Sequence, residues 1–192
     1  MHLCIEEVSR GDITFGALLD VTTSVVAQEL EVFGTEEQKE KYLVPIASGE
    51  KIGAFGLTEP DAGSDAGSIR TTAALDGQEW IINGTKQFIT NIGLDNASLI
   101  VITALTKKAP KGRGLISTFI VPKGAPGFTL GKRYEKMGWH GSATHEVIFE
   151  DCRISESNLL GDPAKGFAQH LAVLQTGRIS IVSHSHALPK AI

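Results

Sequence analysis

The sequence is poor in cysteine and contains no long apolar run. The first absence argues against a disulfide-rich protein, and the second argues against a membrane-spanning one. Its two cysteines, Cys4 and Cys152, lie far apart and form no metal-binding spacing. Two separated thiols favour a reducing compartment over a disulfide framework. No apolar stretch approaches the roughly 18 residues that a membrane span requires. These absences favour a globular protein without a membrane span.

The chain also lacks an excess of basic residues. It has 18 Lys and Arg against 22 Asp and Glu, a formal net charge of −4, which argues against nucleic acid as a partner. The opening segment MHLCIEEVSRGD has neither the basic region of a signal peptide nor the repeated arginines of a transit peptide. The six histidines show no spacing that predicts three or four converging metal ligands. Both ends of the sequence are helical in pattern and carry no polar tail, so we expect a piece of a longer protein.

Residues 1–51 are predicted to be helical. The long apolar stretch LLDVTTSVVAQELEVFG ends at Gly34, a residue type that commonly ends helices. Thr35 and Gln38 match a capping box, in which each side chain binds a backbone N–H near the other. A second helix, TEEQKEKYLVPIASG, is therefore predicted to begin at Thr35.

Residues 52–152 are predicted to form an antiparallel β domain, because they contain short segments rich in β-branched and aromatic residues. Asp76–Gly77 and Asn83–Gly84 are dipeptides that favour tight hairpin turns. Residues 71–90 are accordingly predicted to be a three-stranded meander within an antiparallel barrel or sandwich. The basic segment KKAPKGRG, residues 107–114, is predicted to be a solvated hairpin tip.

Residues 153–192 are predicted to begin another helical domain. A helix is expected from about Gly166 toward Pro189, because residues of one face recur every three or four positions; they are Phe167, Leu171, Leu174, Arg178 and Ile181. The predicted fold class is α+β: N-terminal helices, a central antiparallel β-barrel or sandwich, and the first helix of a C-terminal helical bundle.

The segment GLTEPDAGSDAGS, residues 56–68, is the most informative part of the chain. Its glycines allow close approach of the backbone to a ligand, and its serines supply hydroxyl donors. Composition alone, however, predicts only a surface turn. The segment is not a P-loop, because no Gly-Lys-Ser/Thr follows, and it lacks the strand-to-helix setting of a dinucleotide fingerprint.

Several separated segments, including FGLTEPDAGSDAGS, resemble signatures of the acyl-CoA dehydrogenase family. Others are INGTK followed by FITN, FGTEEQKEKYLVPIASGEKIGAFGLTEP, GFTLGKRYEKMGWHGSATHEVIFEDCRI, NLLGDPAKGF and LQTGRISI. The resemblance covers nearly the whole chain in the family's order and spacing. It is strongest to the short-chain, butyryl-type members or a related bacterial branch, and it implies a chain truncated at the C-terminus and at the N-terminus.

The resemblance implies FAD as cofactor and assigns roles to individual positions. It implies that FAD is bound by residues of the signature loop and of the FITN segment, namely Phe55, Gly56, Leu57, Thr58, Gly63, Ser64, Phe88, Ile89 and Thr90. The Thr90 hydroxyl matches one that hydrogen-bonds flavin N5. Ser64 and Arg178 match positions near the acyl-CoA substrate. Many relatives have Trp at position 88, so Phe88 keeps the aromatic surface but lacks the indole donor.

No catalytic residue is predicted within this chain. The family removes the α proton with a glutamate in the C-terminal helical domain, which is expected beyond Ile192. A minority of relatives place that glutamate directly before the arginine, and Gly177 occupies this position here. Relatives commonly have Asp where this chain has Gln175. The 192 residues alone are therefore expected to be inactive or nearly so, and to bind FAD weakly.

The implied function is FAD-dependent α,β-dehydrogenation of an acyl-CoA by the complete protein. The resemblance further implies electron-transfer flavoprotein as acceptor, a homotetramer or homodimer, and a location in the bacterial cytoplasm or the mitochondrial matrix. Three alternatives stay open at this stage. They are a non-catalytic flavin or acyl-CoA binding module, an oxidase that uses oxygen as acceptor, and a fragment with no independent role.

Overall fold

The structure is a computed structural model that describes residues 2–107 and 114–187. Most of the predicted hairpin tip KKAPKGRG therefore lies outside the described residues, as does the predicted end of the last helix near Pro189. Among the described residues, no helix is both long enough and apolar enough to cross a membrane.

The N-terminal part of the chain is helical, as predicted. The helices are α1 His2–Gly11, α2 Ile13–Asp20, a π-helical stretch Val21–Ala27, α3 Gln28–Phe33, α4 Glu36–Gln38, a second π-helical stretch Lys39–Leu43, and α5 Val44–Ala47. Helix α3 ends at Gly34, and the capping box between Thr35 and Gln38 is formed, with each side chain bonded to the backbone of the other. Both predictions are confirmed because they depend on interactions between residues a few positions apart.

Within the described residues, eight strands form one mostly antiparallel sheet. They are β1 Ile52–Gly56, β2 Thr72–Asp76, β3 Glu79–Thr90, β4 Ala97–Lys107, β5 Leu115–Pro122, β6 Phe128–Arg133, β7 Thr144–Ser155 and β8 Leu159–Leu160. Their order is β6-β7-β3-β2-β4-β5-β8, with β1 beside β4. The α+β class is confirmed, but β1 and β2 each run parallel to β4, so the sheet is not wholly antiparallel. The division at residues 51 and 152 stays a prediction.

The core lies on both faces of strand β4. One cluster contains Ile100 and Ile102 together with residues of β3, β5 and β7. The other contains Leu99 and Val101 and packs against the N-terminal helices through Val26, Leu30 and Ile46. Because consecutive strand residues point to opposite faces, this continuous apolar run can be buried on both sides. The arrangement fixes β1, which pairs with β4, beneath the helices.

The prediction of a three-stranded meander over residues 71–90 is wrong. Asp76 ends β2 and pairs with Glu79, and Gly77, at a φ of 63°, begins the two-residue turn to β3. Asn83–Gly84, in contrast, lies inside the single long strand β3, where the register to β7 shifts between Ile82 and Gly84. Gly84 has a φ of 148°, and an added Cβ would lie 2.5 Å from Thr71 Oγ1. The extra residue at this register shift lies in β7, and Gly84 on β3 allows the close approach of the Thr71 backbone.

The last helix, α6, covers Gly166–Ala187 and begins where predicted. Its buried face is not the one that carries the regularly spaced apolar residues. Phe167 contacts a small apolar cluster of Ala62, Ile69 and Ile116, but Arg178 and Ile181 are exposed. The buried positions are Gly166, Gln169, His170, Val173, Gly177, Ser180, Ser183, His184 and Ala187. The face that contacts the N-terminal helices is largely polar, whereas Leu171 and Leu174 are only half-buried.

Candidate functional site

Two of the segments predicted to bind flavin lie side by side in the structure. The first is the end of β1 with the residues that follow, and the second is the end of β3. The Gln87 backbone N–H donates to the Thr58 carbonyl at 2.8 Å, and Lys86 Nζ donates to the Leu57 carbonyl at 3.2 Å. The fold thus brings residues 55–58 and 88–90 to one edge, although some 30 positions separate them in the sequence.

The β1 end of this edge is tightly packed. Phe55 is half-buried and stacks on the ring of His170, with centroids 4.1 Å apart and planes at 21°. Gly56 is buried, and an added Cβ would lie 2.8 Å from Ile100 Cδ1, so the position requires a residue without a side chain. Phe55 and Gly56 therefore offer their backbones to a ligand more readily than their side chains.

The β3 end is distorted where Phe88 lies. The register to β7 shifts between Lys86 and Ile89, and Phe88 adopts a φ of 60°. A bulge of this kind turns a side chain away from the sheet. The Phe88 ring is 58% exposed and lies 4.9 Å from the ring of Tyr134. Strained backbone that presents an exposed aromatic ring is typical of ligand sites.

The residues after Phe88 differ in what they can contact. Ile89 is 1% exposed, and its side chain belongs to the central core. Thr90 is half-buried and pairs with Thr144 of β7. Ile89 can therefore offer only its backbone to a ligand, whereas Thr90 retains partial access to solvent for its hydroxyl.

Gly63 and Ser64 lie in the exposed part of the loop between β1 and β2. An added Cβ at Gly63 would meet no atom within 4 Å. The loop is closed at its base by Glu59, whose carboxylate accepts hydrogen bonds from the backbone N–H groups of Arg70 and Thr71. Ser64 is thus an accessible hydroxyl on a loop with a fixed base.

Glu59 also forms a buried ion pair with Lys86, whose Nζ lies 2.8 Å from Glu59 Oε1. The Lys86 side chain is 0% exposed and the Glu59 side chain 4%. Burial lowers the pKa of Lys86 to about 8, although the Glu59 carboxylate opposes the shift. Burial by itself would raise the pKa of Glu59, but the Lys86 ammonium and the backbone donors outweigh it and hold that pKa below its usual value.

Arg178, the second residue predicted near substrate, lies on α6 with its side chain exposed. Within residues 2–107 and 114–187 it has no hydrogen-bond or ion-pair partner. The structure therefore does not join it to the strand-end edge, and its substrate role stays a prediction.

Sequence reasoning missed three residues that shape this edge: Lys86, Glu59 as its partner, and His170. Lys86 stands four positions after the buried Ile82, an even spacing that assigns both to one face of the strand. A lysine on the buried face of a strand is the signal that could have revealed the ion pair. His170 has no such local signal, since its partners lie more than 100 residues away.

The buried histidines are paired with carboxylates of the N-terminal helices. His170 Nδ1 lies 2.6 Å from Glu29 Oε1, and His184 Nε2 lies 3.3 Å from Asp20 Oδ2. His184 Nδ1 also lies 2.8 Å from the Ser9 hydroxyl. No group of three or more His, Cys, Asp or Glu side chains that could hold a metal occurs within the described ranges. These pairs attach α6 to the N-terminal helices.

The sequence matches two family models that together span most of the chain. Residues 1–50 match the N-terminal domain of acyl-CoA dehydrogenase, and residues 54–152 match the middle domain. The chain belongs to the acyl-CoA dehydrogenase family. The resemblance first seen in the signature segments is thereby confirmed.

Two relatives illustrate the similarity within the acyl-CoA dehydrogenase family. A probable acyl-CoA dehydrogenase of Bacillus subtilis, YngJ, is 46% identical over 98% of this chain and 49% of its own length. The human mitochondrial short-chain specific acyl-CoA dehydrogenase is 44% identical over 95% of this chain and 44% of its own length. The chain thus spans about half the length of the curated relatives it matches.

Solved structures of similar proteins agree with the fold. Butyryl-CoA dehydrogenase of Megasphaera elsdenii has a TM-score of 0.93 at 40% identity, covering 99% of this chain and 49% of that one. A chain in the structure of the electron transferring flavoprotein of Acidaminococcus fermentans also has a TM-score of 0.93, at 45% identity over 99% of this chain and 49% of that one. An acyl-CoA dehydrogenase of Bacillus anthracis complexed with FAD has a TM-score of 0.87 at 34% identity, covering 95% of this chain and 30% of that one.

Proposed function

We propose that this chain supplies the flavin-binding and thioester-binding part of an FAD-dependent acyl-CoA dehydrogenase. The observation that carries the proposal is the convergence of residues 55–58 and 88–90 at one edge, joined by the hydrogen bond from Gln87 to Thr58. Family membership indicates flavin-dependent dehydrogenation, and the convergence of residues 55–58 and 88–90 provides a surface that suits the flavin.

The residues at this edge fit a flavin. Phe88 presents an exposed aromatic ring, which suits contact with a flat ring system. The Thr90 hydroxyl, on the same strand end, would donate a hydrogen bond to the ring. Gly63 and Ser64 provide an open loop with a hydroxyl donor, which suits a phosphate or the polar arm of a thioester. When bound, FAD would supply the two-electron acceptor for the reaction.

The chain's own residues then bind and orient, and do not remove the α proton. Leu57 and Thr58 are fixed in position by donors from Lys86 and Gln87. Ser64 would hold the thioester's polar arm, and Arg178 would contribute near the acyl-CoA if further helices packed on α6. The general base is proposed to be a glutamate of the C-terminal helical domain, outside these 192 residues, as the resemblance to the family implies.

The proposed function extends to the substrate, the electron acceptor and the cellular location of the complete protein. We infer an acyl-CoA of short chain, electron-transfer flavoprotein as the acceptor, and assembly of the complete protein as a homotetramer or homodimer. The relatives include bacterial and mitochondrial proteins, which supports a location in the bacterial cytoplasm or the mitochondrial matrix.

The test compares the complete open reading frame that encodes this chain with the 192 residues alone. Each protein is purified, mixed with FAD, and assayed with butyryl-CoA and a dye acceptor. We expect the complete protein to bind FAD and reduce the dye, and the 192-residue chain to show little turnover. A complete protein that binds FAD and butyryl-CoA without bleaching the flavin would instead indicate a non-catalytic binding module. Peroxide formation in air, with oxygen as the acceptor and no added dye, would indicate an oxidase.

A further inference from the structure

Lys86 is a buried cation at the point where the segments of the proposed flavin site meet. Its side chain is 0% exposed, yet it lies only two positions before Phe88. Burying a charge is costly unless the charge is paired and hydrogen-bonded. The burial of Lys86 therefore indicates a role other than packing.

The ammonium group of Lys86 contacts acceptors from the segment directly after β1, from the loop and from strand β4. It donates to the Leu57 carbonyl at 3.2 Å and to Glu59 Oε1 at 2.8 Å, and the Thr103 hydroxyl lies 3.5 Å away. Leu57 belongs to the β1 end, Glu59 begins the loop and Thr103 lies on β4. One side chain from β3 therefore spans the whole junction.

Glu59 extends this connection to the far end of the loop. Its carboxylate accepts the backbone N–H groups of Arg70 and Thr71, and its own backbone pairs with Ala62. The loop that carries Gly63 and Ser64 is thus closed by the same carboxylate that pairs with Lys86. A change in the position of Lys86 would be transmitted to Leu57 on one side and to the loop on the other.

We propose that Lys86, acting through Glu59, is the positioning residue that holds the three segments of the flavin site in mutual register. The segments are residues 55–58, the loop around Gly63 and Ser64, and residues 88–90. The inference rests on the proposed function. It adds to the proposed flavin site a residue that does not itself touch the cofactor. An ammonium group suits the role because it only donates, and the Leu57 carbonyl and the Glu59 carboxylate only accept.

The deciding variant is the double substitution Lys86→Met and Glu59→Gln in the complete protein. It removes both buried charges, so no charge is left unpaired. The amide oxygen introduced at position 59 can still accept from Arg70 and Thr71, while the Leu57 carbonyl loses its donor. A purely structural pair would tolerate this replacement better than the loss of one partner, because neither charge remains buried and unpaired.

The matched control is Arg153→Met with Glu79→Gln, which removes an exposed ion pair of 3.0 Å between β7 and β3. Three quantities are measured for each protein: the dissociation constant for FAD, the visible absorption spectrum of the bound flavin, and the unfolding midpoint without FAD. FAD binding by each protein is measured under conditions well below the unfolding midpoint of that protein. We expect the Lys86 and Glu59 double variant to bind FAD at least tenfold more weakly and with an altered flavin spectrum, and the control to match the unsubstituted protein.

Equal FAD affinity and an unchanged spectrum in the folded double variant would overturn the positioning role while leaving the proposed function intact. Absence of FAD binding by the unsubstituted protein would overturn the proposed function and this inference with it. If the double variant does not fold, the single substitution Glu59→Asp decides, since it keeps a carboxylate opposite Lys86 but shortens the side chain that joins Lys86 to the backbone of Arg70 and Thr71. A severalfold loss of FAD affinity in that variant supports the role, and unchanged affinity contradicts it.

Discussion

The ring of Phe55 lies against the imidazole of His170 at a centroid distance of 4.1 Å, which joins the first strand of the sheet to the last helix. His170 is in turn held 2.6 Å from the Glu29 carboxylate, and both of these side chains are 0% exposed. The three residues lie on β1, α6 and α3, so this group connects the last described helix to two elements that precede it by more than 100 residues in the sequence.

Replacing His170 by alanine should destabilise the protein strongly. The Glu29 carboxylate would remain buried without its partner, and breaking a buried pair in this way costs about 3–5 kcal/mol. The free energy of unfolding is measured by urea titration. The control is His186→Ala on an exposed position of the same helix, where a change of about 0.5 kcal/mol or less is expected. A loss of similar size at both positions would show that the His170 pair contributes nothing specific.

Replacing Gly84 by alanine should also be destabilising, by roughly 2–5 kcal/mol. The backbone there has a φ of 148°, and the new methyl group would lie 2.7 Å from Thr71 Cα as well as close to its hydroxyl. Gly11→Ala is the control, because an added Cβ at Gly11 meets no atom within 4 Å. Urea titration distinguishes the two, and equal stabilities would mean that Asn83–Gly84 is a loose turn after all.

The free energy of unfolding should depend on pH through Lys86. Its pKa in the folded protein is about 8, below the ordinary 10.5, so between these values the unfolded chain binds more protons than the folded one. Stability therefore rises with pH across that window, and it falls as the pH is lowered toward 8. The described polar groups that face the ammonium are the Leu57 carbonyl, Glu59 and the Thr103 hydroxyl, and Glu59 stays ionised throughout.

The measurement is the difference in free energy of unfolding between the unsubstituted protein and the variant carrying Lys86→Met and Glu59→Gln. Other titrating groups are common to both proteins and cancel. We expect this difference to shift in favour of the unsubstituted protein from pH 8 to pH 10.5. A difference that is flat or of opposite sign over this range would contradict a depressed pKa for Lys86.

Replacing Phe88 by alanine should weaken FAD binding with little effect on stability. The ring is 58% exposed, so its removal should change the free energy of unfolding by about 0.5 kcal/mol or less. An aromatic contact with the flavin is worth about 0.5–1.5 kcal/mol beyond its buried area, so FAD affinity should fall roughly tenfold. Fluorescence titration with FAD measures the loss, and Leu75→Ala, at an exposed position of β2, serves as the control. Unchanged affinity in the Phe88 variant would remove this residue from the proposed site.

Some features of the molecule followed from the sequence because they depend on neighbours in the chain. The capping box at Thr35 and Gln38 and the turn at Asp76–Gly77 are examples, since the interactions that form them span only a few residues. The signature segments identified the family, and they also predicted which residues should lie together at a ligand site. The ligand site was predicted from the resemblance to the family, because the composition of the loop at 56–68 alone predicts only a surface turn.

Other features were decided only by tertiary structure. Asn83–Gly84 has the composition of a turn but lies within a strand, because β7 pairs with β3 on both sides of it. The face of α6 that is buried is the polar one, because Glu29 and Asp20 on distant helices supply partners for His170 and His184. Lys86 became the centre of the junction only when β1 and β4 brought Leu57, Glu59 and Thr103 around it. Local chemistry thus determined the turns and caps, whereas contacts between distant residues determined which polar groups could be buried.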